Sequence, residues 1–315
     1  MSTYTIDSAR TNERLSAFKS EIGASSPIDN TYVEVPTTDH FMKNKKTVNG
    51  GRQIIYPIDS GRNQTVKWFS DYDIFDTTAQ DTALTVGYPF VNIGGTIVIS
   101  WEEMRETAGD DHRIFDLVAH KRNNCLRTIR DDINAAIFAA AQAANQITTL
   151  VVAVDSTGAT GGLAQGTDAD WAAHETASGA FPAQGLDDMR TLYNDIRADG
   201  VRPSMIITTQ AIHELYEAEI DPEVRYSTIQ TGARGFKELE FKGVPIMFDD
   251  DCTANVLYMI NNDHLFFVVD SAGNFDVSDF QTPVNQEVSV AKVKFRGNLV
   301  CNRREANGKL TGVTA

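Results

Sequence analysis

The chain reads as an α+β protein of two interleaved lobes, and three observations lead there. Residues 50–145 form one long excursion, in which a strand, some thirty polar and aromatic residues and a return strand precede an unusually long amphipathic helix. Residues 186–222 then give a helix, a short apolar strand and a second helix. From residue 244 onward the pattern is strands, so helices and strands sit between two sheet-forming parts of the chain.

Residues 1–40 carry Ser, Thr, Asp and Asn freely around one helical candidate at 12–22, where Leu15, Phe18, Lys19 and Ile22 share a face. The rest of this stretch reads as an extended arm. Tyr32, Val33 and Val35, just before Pro36, are placed to add a strand to another subunit's sheet edge.

The outgoing strand of the excursion, 52–58, puts Ile54, Tyr56 and Ile58 on one face, and the return strand, 91–99, puts Val91, Ile93, Ile97 and Ile99 on one face. Pro57 and Pro89 mark exposed edges. Connections in compact domains are mostly ~4–6 residues, so the span between these strands reads as an arm that packs on neighbours. Trp68, Phe69, Tyr72, Ile74 and Phe75 lie near its middle, where another copy of the chain would supply the missing core.

Ser100 caps a short helix at 101–107, with Glu103 completing a capping box, and Ala108-Gly109-Asp110 breaks it. From Asp111 to Ala144 the apolar positions Ile114, Leu117, Cys125, Ile129, Ile133, Ile137 and Ala140 recur at helical spacing. That predicts a helix of ~33 residues, ~50 Å long. Residues 150–154 follow as a buried strand, and 156–179 as loops around Trp171. A helix at 186–198, a strand at 204–208 and a helix at 211–220, closed by Asp221-Pro222, come next. Strands are expected at 244–248, 256–260, 265–269 and 284–300. In the last, the apolar phase slips from Val288/Val290 to Val293/Phe295, which predicts a bulge or a change of exposed face.

The 315 residues suffice for a substantial core, and 42% hydrophobic with 23% charged residues is ordinary for a globular protein. The first twenty residues lack an apolar signal-peptide core and no run of 18 apolar residues occurs, so neither secretion nor a membrane span is expected and the default compartment is the cytoplasm. Cys125, Cys252 and Cys301 are distant from one another and lack C-x-x-C spacing, so reduced thiols are expected. A net charge of -15 opposes binding to polyphosphate, and the basic cluster Lys43, Lys45, Lys46 and Arg52 reads as a turn or a partner contact.

No chemistry-bearing motif emerges. The stretch from Gly158 to Gly166 lacks a following Lys-Ser/Thr and reads as a mobile loop, and Asp249-Asp250-Asp251 reads as a charged turn after a strand. Asp131-Asp132 and Asp187-Asp188 splay apart on helices, and the six histidines show no metal spacing. No catalytic residue, cofactor or metal is expected.

Several phrases, in order, carry a resemblance to a known family. They are Lys67-Trp68-Phe69 with Asp73-Ile74-Phe75-Asp76, Ile97-Val98-Ile99-Ser100-Trp101-Glu102-Glu103, and Gly161-Gly162-Leu163 ahead of Trp171. Further on come Pro203-Ser204-Met205-Ile206-Ile207-Thr208, Gly235-Phe236-Lys237-Glu238-Leu239 with Phe241-Lys242-Gly243-Val244-Pro245-Ile246, and Gly297-Asn298-Leu299-Val300-Cys301-Asn302-Arg303-Arg304. From about Val33 to the C-terminus the chain resembles major capsid proteins of tailed bacteriophages with the HK97-type fold.

The resemblance implies an N-terminal arm at 1–50, an extended loop at 51–100, a peripheral domain with a spine helix at 101–154, an axial domain at 155–280, and a C-terminal strand at 281–315 returning to the peripheral domain. It implies copies assembled into hexamers and pentamers of an icosahedral virion shell around double-stranded DNA, put together in the host cytoplasm. A portal protein and, since the arm is short, a separate scaffolding protein are the expected partners, with a decoration protein left open. Trp68, Phe69, Tyr72, Ile74, Phe75, Tyr32, Val33 and Val35 are the interface candidates; Arg225 and Arg234 fit a subunit contact or a plain surface loop equally. No motif carries over a Lys–Asn cross-link. An encapsulin-like compartment and a soluble enzyme with an unrecognised site are the rival readings.

Overall fold

A computed structural model describes residues 35–59, 61, 63–80, 82–103, 117–166, 170–224 and 239–315, the side chains of 117 and 221–224 excepted. The chain forms two compact units. Within the smaller, the described parts are 93–103, 117–131 and 275–294.

In the smaller unit, the strands Val91–Ser100 and Asp276–Val277 both pair with the long strand Val288–Cys301. Ile97, Ile99, Ala291 and Val293 are buried there, as is Ile129 of the helix Leu117–Ile137. A Cβ on Gly95 would fall 2.6 Å from Cys125 Sγ, so only glycine lets helix and strand approach this closely. The capping box forms as expected, with Glu103 N donating to Ser100 Oγ at 3.2 Å and Ser100 N to Glu103 Oε2 at 3.0 Å. Lys121 then donates to Glu103 at 2.7 Å and to the Val98 carbonyl at 3.0 Å.

The larger unit, Val35–Asn92, Asp132–Asn274 and Phe295–Ala315, is built on two sheets. One pairs Lys46–Val48 in parallel with Leu265–Asp270, which runs antiparallel to the end of the long strand. The other has six strands in the order His174–Ala177, Gly308–Thr311, Val256–Ile260, Met205–Thr208, Val244–Phe248, Glu240–Phe241. Met205–Thr208 is buried throughout, as befits an inner strand covered on both faces. Met189, Leu192 and Ile196 of the helix Leu186–Ala198, and Ile212 and Tyr216 of Gln210–Val224, share a core with Ile206, Leu257, Met259 and Leu310.

Two buried polar groups organise this unit. Asp249 accepts from Thr37 N at 3.3 Å, from Asn134 Nδ2 at 2.9 Å and from Asp251 N at 3.1 Å, while Thr38 Oγ1 donates to Asn134 Oδ1 at 2.9 Å. The expected charged turn therefore holds one buried carboxylate, which ties the helix Pro36–Lys43 to the end of the long helix. Arg304, wholly buried, donates to the carbonyls of Val152, Ala153, Asp155, Thr157, Gly158 and Trp171 at 2.6 to 3.3 Å. Among the described residues no carboxylate is in ion-pair contact with it; the Asp155 carboxylate acts on it only at longer range, and its Oδ1 accepts from Lys309 at 2.8 Å.

Several expectations are corrected. The strand Gln53–Asp59 pairs with Ala83–Pro89, not with 91–99, in a register that sets Ile54, Tyr56 and Ile58 opposite Tyr88, Val86 and Leu84. The long helix stops at Ile137; residues 139–146 are small or polar and mostly exposed, so more turns would bury nothing, whereas Thr148, Thr149 and Leu150 beyond them are buried. Leu150–Ala153 is a helical turn, N-capped by Thr149, whose Oγ1 accepts from Val152 N at 3.2 Å. The second helix runs on through Pro222 to Val224. In the long strand the phase slip appears as a change of burial: both faces are half-buried at 288–290, Ala291, Val293 and Phe295 are buried beyond that, and both faces are buried from Gly297.

Replacing Arg304 by Met removes the shared donor of six carbonyls, of which those of Asp155 and Gly158 keep a second donor in Ala173 N and Gln165 N, so Arg304→Met is expected to destabilise the fold by about 3 kcal/mol or more in urea unfolding. Arg304→Lys should recover only part, because an ammonium lacks the planar fork. Burial also pushes the Tyr258 hydroxyl up to about 12, against ~10 for a free phenol. A raised value favours the neutral phenol, so its contribution is complete below pH ~10 and is lost as pH climbs through the folded value. Denaturant melts should therefore weaken as pH rises beyond ~10, with the part of the tyrosinate absorbance that belongs to the buried phenol appearing only as the fold is lost.

Candidate assembly interface

The stem of the ribbon, Gln53–Asp59 with Ala83–Pro89, lies on its own unit. Ile54, Val86 and Tyr88 are buried with Leu163, Trp171, Phe266, Val268 and Val300, and Tyr56, Ile58 and Leu84 pack alongside. Tyr88 Oη donates to the Cys301 carbonyl at 2.8 Å and Asn298 Nδ2 to the Pro89 carbonyl at 2.8 Å. The ribbon thus gains much of its burial within its own chain, contrary to the sequence expectation.

The tip, 63–80, differs. Val66, Trp68, Phe69, Tyr72, Ile74 and Phe75 are all exposed, Trp68 and Tyr72 almost completely. An exposed apolar cluster of this kind marks an interaction surface, and its aromatic content suits an anchor. The segment folds on itself. Asn63 Oδ1 accepts from Thr65 N at 2.9 Å, Asp73 Oδ2 from Ser70 N at 2.9 Å, and Asp76 Oδ1 from Thr78 N at 2.9 Å. Lys67 Nζ closes the span onto the Ile74 carbonyl at 2.7 Å, and the rings of Phe69 and Phe75 meet at 4.8 Å. The hydrogen bonds from the Thr78 side chain and backbone hold the Asp76 carboxyl below the usual carboxylate range.

Five of the sequence-selected residues, Trp68, Phe69, Tyr72, Ile74 and Phe75, therefore come together on this tip, and Val66 joins them unannounced. Val35 is the N-cap of the helix Pro36–Lys43 and not part of a strand, because Pro36 occupies the first helical turn. Tyr32, Val33, Arg225 and Arg234 lie outside the described residues. Sequence reasoning missed the support beneath the tip. Ala159–Thr160 and Leu163–Ala164 form a tight hairpin, in place of the mobile loop expected, because Gly161 and Gly162 supply the two positive φ values of its turn.

The three cysteines are free, and no group of three His, Cys, Asp or Glu side chains among the described residues is placed to hold a metal ion. Among the described residues no helix is long and apolar enough to cross a membrane.

No protein-family model and no curated protein matches the sequence. Solved structures do resemble the fold. A chain of the cyanophage A-1(L) capsid asymmetric unit aligns with a TM-score of 0.71 at 15% identity, over 92% of this chain and 96% of that one. The capsid of Myoviridae phage XM1 gives 0.61 at 11% identity, over 98% and 99%. The SrpI encapsulin complex from Synechococcus elongatus PCC 7942 gives 0.56 at 10%, over 98% and 96%. The chain has the HK97-type capsid fold.

Because Trp68 touches nothing that shields it, Trp68→Phe should remove a solvated, readily quenched component of the tryptophan fluorescence. The same change should alter subunit stability by less than about 0.5 kcal/mol in denaturant melts.

Proposed function

We propose that this chain is the structural subunit of an icosahedral shell, a phage-type major capsid protein whose copies join as hexamers and pentamers around double-stranded DNA. The observation that carries this reading is the exposed tip: a preformed apolar surface at the end of a ribbon whose stem is already buried. Such a surface gains burial only from another molecule. The fold supports the same reading, since its structural neighbours include phage capsids.

On this reading 1–50 serve as the arm, 51–100 as the extended loop, 101–154 as the peripheral domain, 155–280 as the axial domain, and 281–315 as the returning strand. The partners are other copies of the chain, a portal protein and a separate scaffolding protein, and the assembled product is the virion shell. The net charge of -15 keeps packaged DNA from adhering to the wall. The subunit performs no catalysis. The encapsulin neighbour favours a second reading, a shell that encloses protein cargo. Shells that form without a scaffold and capture a co-expressed cargo protein would support it.

The double variant Trp68→Ala with Phe69→Ala is expected to yield a folded subunit with unchanged circular dichroism and no shells by negative-stain microscopy. Normal particles from that variant would sink the proposal.

A further inference from the structure

We propose that the hairpin Ala159–Thr160/Leu163–Ala164 is a latch that fixes the angle of the ribbon, with Gly161 and Leu163 as its positioning residues. Its consequence for assembly rests on the capsid reading; the latch itself does not.

Three contacts join the hairpin to the ribbon's return strand. Gly87 N donates to the Gly161 carbonyl at 2.8 Å, outside the ribbon's own ladder. The Tyr88 ring lies so close beneath Gly161 that a Cβ there would fall 2.9 to 3.0 Å from two ring carbons and the hydroxyl oxygen. Leu163 is buried in the same apolar cluster as Ile54, Val86 and Tyr88. Gly161 is thus fixed twice over, by its φ of +62° and by the ring under it.

The hairpin is held from behind as well. Arg304 binds the carbonyls of Asp155, Thr157 and Gly158, the residues that lead into it, and that of Trp171 beyond it. The latch is therefore a rigid part placed against a lever. The stem pairs seven residues, and at ~3.4 Å per residue it is roughly 24 Å long, so a rotation of about 10° at its base moves the tip by ~4 Å. An anchor that must fit a pocket tolerates far less.

The test measures the lever directly. Spin labels on Ser70→Cys at the tip and Asp263→Cys, an exposed position of the same unit, report the distance by electron–electron double resonance in the full chain, with Cys125→Ala to remove the half-exposed native thiol. A narrow distance distribution is expected for the parent. Gly161→Ala should broaden or shift it, with circular dichroism retained, and should abolish shells. If Gly161→Ala does not fold, Leu163→Ala carries the same comparison. A folded latch variant with an unchanged distribution overturns the proposal, and a broadened distribution with normal shells overturns its consequence for assembly. Failure of the capsid reading is seen separately: the parent, or the Trp68/Phe69 variant, gives the wrong particle outcome whatever the distances show.

Discussion

Burying an arginine with no carboxylate against it costs several kcal/mol unless its donors all find acceptors, and one corner of the larger unit is arranged to meet that demand at Arg304. Six carbonyls turn inward to it, from two stretches of chain in which only part of the backbone is satisfied by other backbone groups. The exchange is mutual. The guanidinium is neutralised by dipoles, and irregular backbone at 152–158 and 171 becomes as fixed as a strand. The β-hairpin, Tyr88 and the ribbon stem all stand on that base.

Much of the fold was legible because burial imposes a period. Alternation of Ile54, Tyr56 and Ile58 marked a strand at 52–58, found at Gln53–Asp59, helical spacing marked Leu186–Ala198 to the residue, and Ser100 with Glu103 marked a helix start. The errors share a cause. Val91–Ser100 alternates as well as Ala83–Pro89 does, and period alone does not say which of two such strands is the partner. Leu150–Ala153 is apolar throughout, which suits a buried strand and a buried helical turn equally.

The candidate surface was legible in a different way. Trp68, Phe69 and Tyr72 stood out because they fell where no core awaited them. What holds that surface in place was not, since Arg304, Tyr88 and Gly161 lie far apart in sequence and meet only through tertiary structure. Asp249 is similar: three adjacent aspartates look alike on paper, Asn134 donates to both Asp249 and Asp251, and it is burial and the bond from Thr37 N that single out Asp249. The Gly161-Gly162 pair was the one local clue, as a two-glycine turn between short apolar runs.

The hydrogen bonds inside the tip bear on how subunits would find one another. A segment already folded by Asn63, Asp73 and Asp76 has lost its conformational freedom before any encounter, so little further ordering opposes association. Opposing it instead is the mutual repulsion of chains that each carry a charge of -15. Dissolved salt weakens that repulsion over a Debye length of ~10 Å at 0.1 M and leaves the apolar contact untouched. On the proposed reading, ionic strength then sets the concentration threshold at which a stock of free monomers turns into particles.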